Sequence, residues 1–153
     1  MQTAIEEALK RDPYTSKIYG GVLASNELPD QVAYPSCYVL NTKPRTHEGE
    51  HWLAVYYDDK GHGSFFDSYG MPPSAHRFES FMDRTSQTWS FNNIRVQGHS
   101  SFCGYYCLLY LFERARGSSR NFFAYFNKNY IQNDKKVEFY LNLFKNNKTR
   151  INC

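Results

Sequence analysis

The chain has 153 residues and a mass of 18.0 kDa, the size of one domain, which excludes a multidomain machine. Its 12 Phe, 13 Tyr and 2 Trp make up 18% of the residues and 41% are hydrophobic, so intrinsic disorder is excluded despite a mean hydropathy of −0.66. The net charge of +3 is unevenly spread: residues 1–112 carry 9 basic and 12 acidic groups, residues 113–153 carry 9 and 3.

Taken in chain order, the first apolar stretch is broken by Glu6, Glu7, Lys10 and Arg11, unlike a signal peptide. No later stretch approaches the roughly 18 apolar residues a bilayer span requires, and the expectation is a soluble, non-secreted protein. Thr3 and Glu6 have capping-box spacing and Ile5 and Leu9 stand four apart, which predicts a short helix over 4–11, stopped before Pro13. Gly20-Gly21 reads as a turn. Residues 36–42 and 51–57 are rich in β-formers, and both faces of the second are apolar, as in a central strand covered on both sides. A polar loop, 43–50, joins them. The cluster 58–63 predicts a tight turn and 64–68 the return strand of a hairpin, ended by Tyr69 to Pro73.

Residues 74–84 read as a helix with Phe78, Phe81 and Met82 on one face, and 91–97 as a further strand. From Cys103 the chain is apolar all round up to Gly117, which stands where a helix would stop, so this helix is expected inside the domain. Two more helices are expected, at 119–128 and 133–146, the second with Val137, Tyr140, Leu141 and Phe144 at helical spacing. Strands in the middle with helices before and after make one α+β domain over residues 1–153, a mixed or antiparallel sheet flanked by helices.

Four residues form a candidate chemical set: His51 at a strand start, Asp67 on the return strand, Gln97 at a strand end and Cys103 at the head of the buried helix. Hairpin geometry brings His51 and Asp67 opposite or diagonally adjacent. A cysteine at a helix N-terminus beside an imidazolium has its thiolate favoured, which makes it a nucleophile near neutral pH. His51 would be the general base and Asp67 would hold its tautomer. Gln97 and the Cys103 backbone N–H would face the oxyanion, and Gly104 would leave room for the incoming carbonyl. From residue types and spacing alone, a buried cysteine on an apolar helix serves packing as readily as catalysis, and a His beside a Trp serves as a satisfied core group.

The segments GEHWLAVYYDD, FFDSYG and VQGHSSFCGYYC, in that order and at those separations, resemble the adenovirus protease (adenain) family and its cellular relatives, the Ulp-type SUMO proteases. The opening AIEEALKRDPYTSKIYGGVLASNELP and the strand SCYVLNT resemble adenain as well, so the similarity spans residues 4–112. The resemblance implies a papain-like cysteine protease fold with the permuted order His-Asp-Gln-Cys. It makes His51 the base, Asp67 its orienting acid, Cys103 the nucleophile and Gln97 the oxyanion-hole side chain. Trp52 matches the tryptophan after the family's catalytic His and Asn41 a position near its cleft; ordinary core packing and a strand-end turn are the alternative roles. The implied task is processing of viral or mobile-element capsid and core precursors at Gly-rich sites, in the virion and host nucleus, with nonspecific DNA as an activator and no bound cofactor.

Two departures bear on this. The carboxylate is Asp, and Gln97 lies six residues before Cys103; both features resemble the SUMO-protease branch. The disulfide-linked activating peptide of the adenoviral enzymes needs a cysteine upstream of the Gln, and residues 84–90 contain none. The alternatives are a deSUMOylating or deubiquitinating isopeptidase, an acetyltransferase on the same scaffold, and a non-enzymatic nucleic-acid-binding module. No metal site is expected, since His99, Cys103 and Cys107 stand among apolar flanks. Of the remaining cysteines, Cys37 and Cys107 read as core and Cys153 as an exposed terminal thiol, all free.

Overall fold

The structure, a computed structural model, describes residues 2–44, 51–117 and 122–146. Its elements run α1 (Gln2–Arg11), β1 (Tyr19–Leu23), β2 (Ser36–Asn41), β3 (Trp52–Tyr57), β4 (His62–Phe66), α2 (Glu79–Thr85), β5 (Thr88–Phe91), α3 (Cys103–Ala115) and α4 (Tyr130–Asn146). The five strands lie side by side in chain order. The inner pairs β2/β3 and β3/β4 are antiparallel, and the outer pairs β1/β2 and β4/β5 are parallel.

Side chains alternate across a strand, and here that alternation builds two cores, one on each face of the sheet. Cys37, Val39, Trp52, Ala54 and Phe66 point to the side covered by α1, α3 and α4, where they meet Cys107, Leu109, Leu111 and Phe112. Tyr38, Leu40, Leu53, Val55, Tyr57 and Phe65 point to the other side and meet Phe78, Phe81 and Met82 around α2. The central strand β3 is therefore apolar on both faces, as its sequence requires. Helix α3 crosses β3, with the Tyr110 ring stacked on Phe66 at 4.5 Å. Burying a side chain such as Leu109 or Phe112 completely stabilises the fold by about 1.5–3 kcal/mol each.

Several elements differ from expectation. Gly20-Gly21 is a strand, not a turn: β1 bulges there, and Gly20 is needed because a Cβ would stand 2.2 Å from the Tyr38 ring. Thr3 lies inside α1 and does not cap it. Residues 74–84 are broken into a 3₁₀ turn, Pro73–His76, and α2, with Arg77 left-handed between them at φ 64°. The strand expected at 91–97 comes earlier, as β5. Asn92 ends it, because its side chain rather than its backbone pairs with Asp67. Beyond α3, Phe122–Tyr125 is a single 3₁₀ turn where part of a helix over 119–128 was expected; residues 118–121 lie outside the described residues. Among the described residues no helix is long and apolar enough to cross a membrane.

Candidate active site

The register of β3 and β4, with Ala54 opposite Phe66, continues by one residue to set Leu53 opposite Asp67. His51 is then diagonal to Asp67 on the same pleat face, within cross-strand reach. The contact is a hydrogen bond, His51 Nε2 to Asp67 Oδ1, at 2.8 Å. Asp67 is fully buried, and its backbone is fixed by the residue that follows β5: the Asn92 side chain accepts the Asp67 N–H at 2.9 Å and donates to its carbonyl at 2.6 Å. The carboxylate is held on every side. Oδ1 also accepts the Tyr69 N–H at 2.9 Å, and Oδ2 faces His76 Nε2 at 2.9 Å.

His51 and Cys103 stand on the wall of one groove, where imidazole and thiol each favour the other's charged form. Cys103 is the first residue of α3, where backbone N–H groups have no intrahelical partner and the helix dipole favours negative charge. Burial pushes the Cys103 thiol up. The hydrogen bond from His51 and the backbone N–H groups of Trp52 and Gly104 outweigh it and bring the thiol below its ordinary value. Burial likewise opposes charge on His51, but Asp67 and Cys103 raise it to about 9. Asp67 itself is held well below the carboxylate range: the His51, His76 and Tyr69 hydrogen bonds overcome its desolvation. The geometry therefore supports a thiolate–imidazolium pair, with a carboxylate behind the imidazole.

Gln97 is buried six residues before Cys103. The Ser68 hydroxyl donates to its Oε1 at 2.5 Å, and its Nε2 donates to the Ser100 carbonyl at 2.8 Å. The amide is thus oriented with oxygen inward and NH2 toward the loop that leads into α3, leaving a second N–H for a ligand. His51, Trp52, Gln97 and Cys103 share the wall of one open groove of about 1120 Å³, together with Tyr69, His76, Arg77, Lys43 and the serines 25, 100 and 101. Trp52 belongs both to this wall and to the core beneath it. Asn41 and Gly104 are buried and do not line the groove. Asn41 Oδ1 accepts the Lys43 N–H at 2.8 Å, a strand-end turn, while its Nδ2 has no partner among the described residues.

Sequence reading missed His76, Ser68 and Asn92, each of which grips a site residue. Their contacts join separate loops, so no periodicity announces them. His51, Asp67 and His76 each place a potential metal-ligand atom within 4.8 Å of the others. The 2.8 and 2.9 Å separations are those of hydrogen bonds, and both nitrogens spend their capacity on the carboxylate. Cys107, one turn after Cys103, is fully buried and its thiol is driven well above the ordinary value by desolvation; Cys37 is pushed up to about 12 for the same reason. Neither is disulfide-bonded.

No protein-family model matches the chain, and no curated protein matches it. Among solved structures it is similar to ChlaDub1 from Chlamydia trachomatis, with a TM-score of 0.50 and 16% identity over 71% of this chain and 58% of that one. It has the papain-like cysteine protease fold. It is also similar to the ASFV pS273R protease (TM-score 0.47, 26% identity, 67% of this chain and 42% of that one). A third similar structure is the central domain of the uncharacterized Lpg1148 protein from Legionella pneumophila (TM-score 0.49, 14% identity, 93% and 98%).

Proposed function

We propose that the chain is a cysteine endopeptidase of the adenain type, cutting precursor proteins at Gly-rich sites through a thiol acyl-enzyme. The observation that carries this is the imidazole placed between acid and thiol: His51 is hydrogen-bonded to buried Asp67 and shares the wall of one open groove with Cys103 at the head of α3, whose thiol it helps to hold below its ordinary value. In the reaction the Cys103 sulfur attacks the scissile carbonyl carbon. The C–N bond breaks and His51 gives its proton to the leaving amine. Water, deprotonated by His51, then adds to the thioester carbonyl; the C–S bond breaks, the acid leaves, and the Cys103 thiolate stands again beside protonated His51. Gln97 Nε2–H and the Cys103 backbone N–H stabilise the oxyanion in both halves.

A capsid or core precursor of a virus or mobile element fits the resemblance, with action in the virion or host nucleus, and the basic C-terminal quarter is then a DNA-responsive surface. The isopeptidase reading uses every residue of the same site, since an extended peptide and the tail of a ubiquitin-like modifier both suit an open groove. A peptide library spanning Gly-rich junctions and ubiquitin-like C-termini separates the two. Preference for extended peptides without modifier binding supports the endopeptidase, and dependence on an intact modifier domain supports the isopeptidase. Cys103→Ala must abolish turnover with the fold intact; full activity in that variant removes both.

A further inference from the structure

The segment that carries Gln97 has no regular structure: residues 92–98 run irregularly between β5 and the loop before α3. It is pinned from both sides. From the turn after β4, the Ser68 carbonyl accepts the N–H groups of Val96 and Gln97 at 2.9 and 3.1 Å. From the opposite side comes α4, whose first turn reaches in with two buried polar residues. Asn133 Nδ2 donates to the Val96 carbonyl at 2.9 Å, and the Gly98 N–H donates to both Asp134 carboxylate oxygens, at 3.0 and 3.2 Å.

Asp134 also accepts the Tyr106 hydroxyl at 2.7 Å. Tyr106 is three residues after Cys103 in α3, so one carboxylate ties the nucleophile's helix to the amide-bearing segment. Gly98 allows the approach, because a Cβ there would stand 2.6 Å from Asp134 Oδ2 and 3.2 Å from the Tyr130 carbonyl. The peptide between Gln97 and Gly98 is planar, and it is held at both ends: its N–H by Asp134, its oxygen by Arg95 Nε at 2.7 Å. Arg95 in turn lies over the Tyr130 ring of α4 at 4.6 Å. Fixing that plane fixes the Gln97 backbone from which the side-chain amide projects. None of these α4 residues lines the groove.

We infer that Asp134 is a positioning residue that acts from α4, through the Gly98 peptide, to hold the Gln97 amide where an oxyanion forms. The inference rests on the oxyanion role of Gln97, so its test keeps the two apart. Asp134→Ala lowers kcat about tenfold or more, below the ~10²- to 10³-fold cost of losing the Gln97 donor itself, with KM within about twofold. Asp134→Asn keeps the volume but leaves one oxygen for two donors, and gives a smaller loss in the same direction; it serves also if the alanine variant does not fold. Alkylation of Cys103 by iodoacetamide, which forms no oxyanion, keeps its wild-type rate in both.

In a Gln97→Ala background either substitution costs less than about twofold, because the group it positions is gone. In the Cys103→Ala protein, amide exchange at Gly98 rises at least about tenfold with Asp134→Ala, a readout independent of activity. Unchanged Gly98 protection overturns the inference, as does an equal loss in both Gln97 backgrounds or a parallel loss of alkylation. Wild-type kcat in Gln97→Ala alone instead removes the oxyanion role of Gln97, and with it the positioning role of Asp134.

Discussion

At Cys103 desolvation and hydrogen bonding pull in opposite directions, and the hydrogen bonds win; at Cys107 nothing offsets burial, and at Cys37 a backbone hydrogen bond at Gly20 is too weak to overcome it. A thiol electrophile at neutral pH should therefore label Cys103 first, read by mass spectrometry of tryptic peptides, and prior labelling of Cys107 would contradict the ion pair. The pH profile follows with its signs. The Cys103 thiolate is lost as pH falls below its lowered value, and the His51 proton is lost as pH rises through about 9. The kcat/KM profile is then a bell whose alkaline limb lies near 9. Folding stability shares that limb: a raised His51 contributes fully below its unfolded value near 6.5 and progressively less as pH climbs through about 9. Asp67 works in the reverse sense, contributing above the unfolded carboxylate value and losing that contribution in acid.

Asp67→Asn should slow turnover on the order of 10²- to 10⁴-fold, because an amide facing His51 Nε2 stabilises the wrong tautomer. A wild-type rate in that variant would mean that the His51–Asp67 contact is idle in the reaction. His76→Ala leaves Asp67 Oδ2, in a fully buried carboxylate, without its partner. The expected cost is about 1–3 kcal/mol in a urea titration, with a slower kcat as the carboxylate loosens. The hairpin pattern announces that His51 and Asp67 meet and the apolar run announces Cys103 at a helix head, but the choice of the four residues comes from the resemblance, and Gln97, expected at a strand end, lies in the irregular segment 92–98. His76 is not legible, because a loop-to-loop contact leaves no trace in spacing.

Among the elements, long apolar segments were read correctly and short ones were decided by tertiary contacts. Strand β3 and helix α3 declare themselves through continuous apolar runs. Strand β1 hides behind two glycines whose purpose is room for the Tyr38 ring, and β5 is displaced because Asn92 substitutes a side chain for a backbone rung. The far end of α3 also holds an unforeseen tie. Arg116 forms an ion pair with Asp12, at the end of α1, which is fully buried and also accepts the Thr15 N–H at 2.9 Å. Removing one member of such a pair leaves a charge without its counter-ion, so Arg116→Ala should cost about 3 kcal/mol or more. Chemical denaturation checks this; a loss under about 1 kcal/mol would show that solvent replaces the guanidinium.

Across the whole molecule the charge asymmetry survives folding in reduced form. Of the nine basic residues in 113–153, Arg116 pairs with Asp12, and Arg114 lies over the Tyr56 ring at 4.7 Å while donating to the Tyr110 hydroxyl. Both serve the fold. Lys128 and Lys135 are exposed and Lys136 half-buried, around a helix whose near acids are Asp134, already engaged inward, and Glu138. The side chains of Arg120, Lys145, Lys148 and Arg150 lie outside the described residues. If the C-terminal quarter meets DNA as proposed, binding is a matter of counterion release. With Lys128, Lys135 and Lys136 alone in contact, the affinity for a labelled duplex falls about 40-fold between about 50 and 200 mM salt; six or more contacts would make that roughly 10³-fold. Replacing those three lysines by alanine should flatten the salt slope by about 3 and leave sequence preference absent, while Arg116→Ala should not change the slope. No detectable binding at the lower salt, or proteolysis indifferent to added DNA, would make this quarter a solubilising surface linked to the chemistry through the grip of α4 on the segment that carries Gln97.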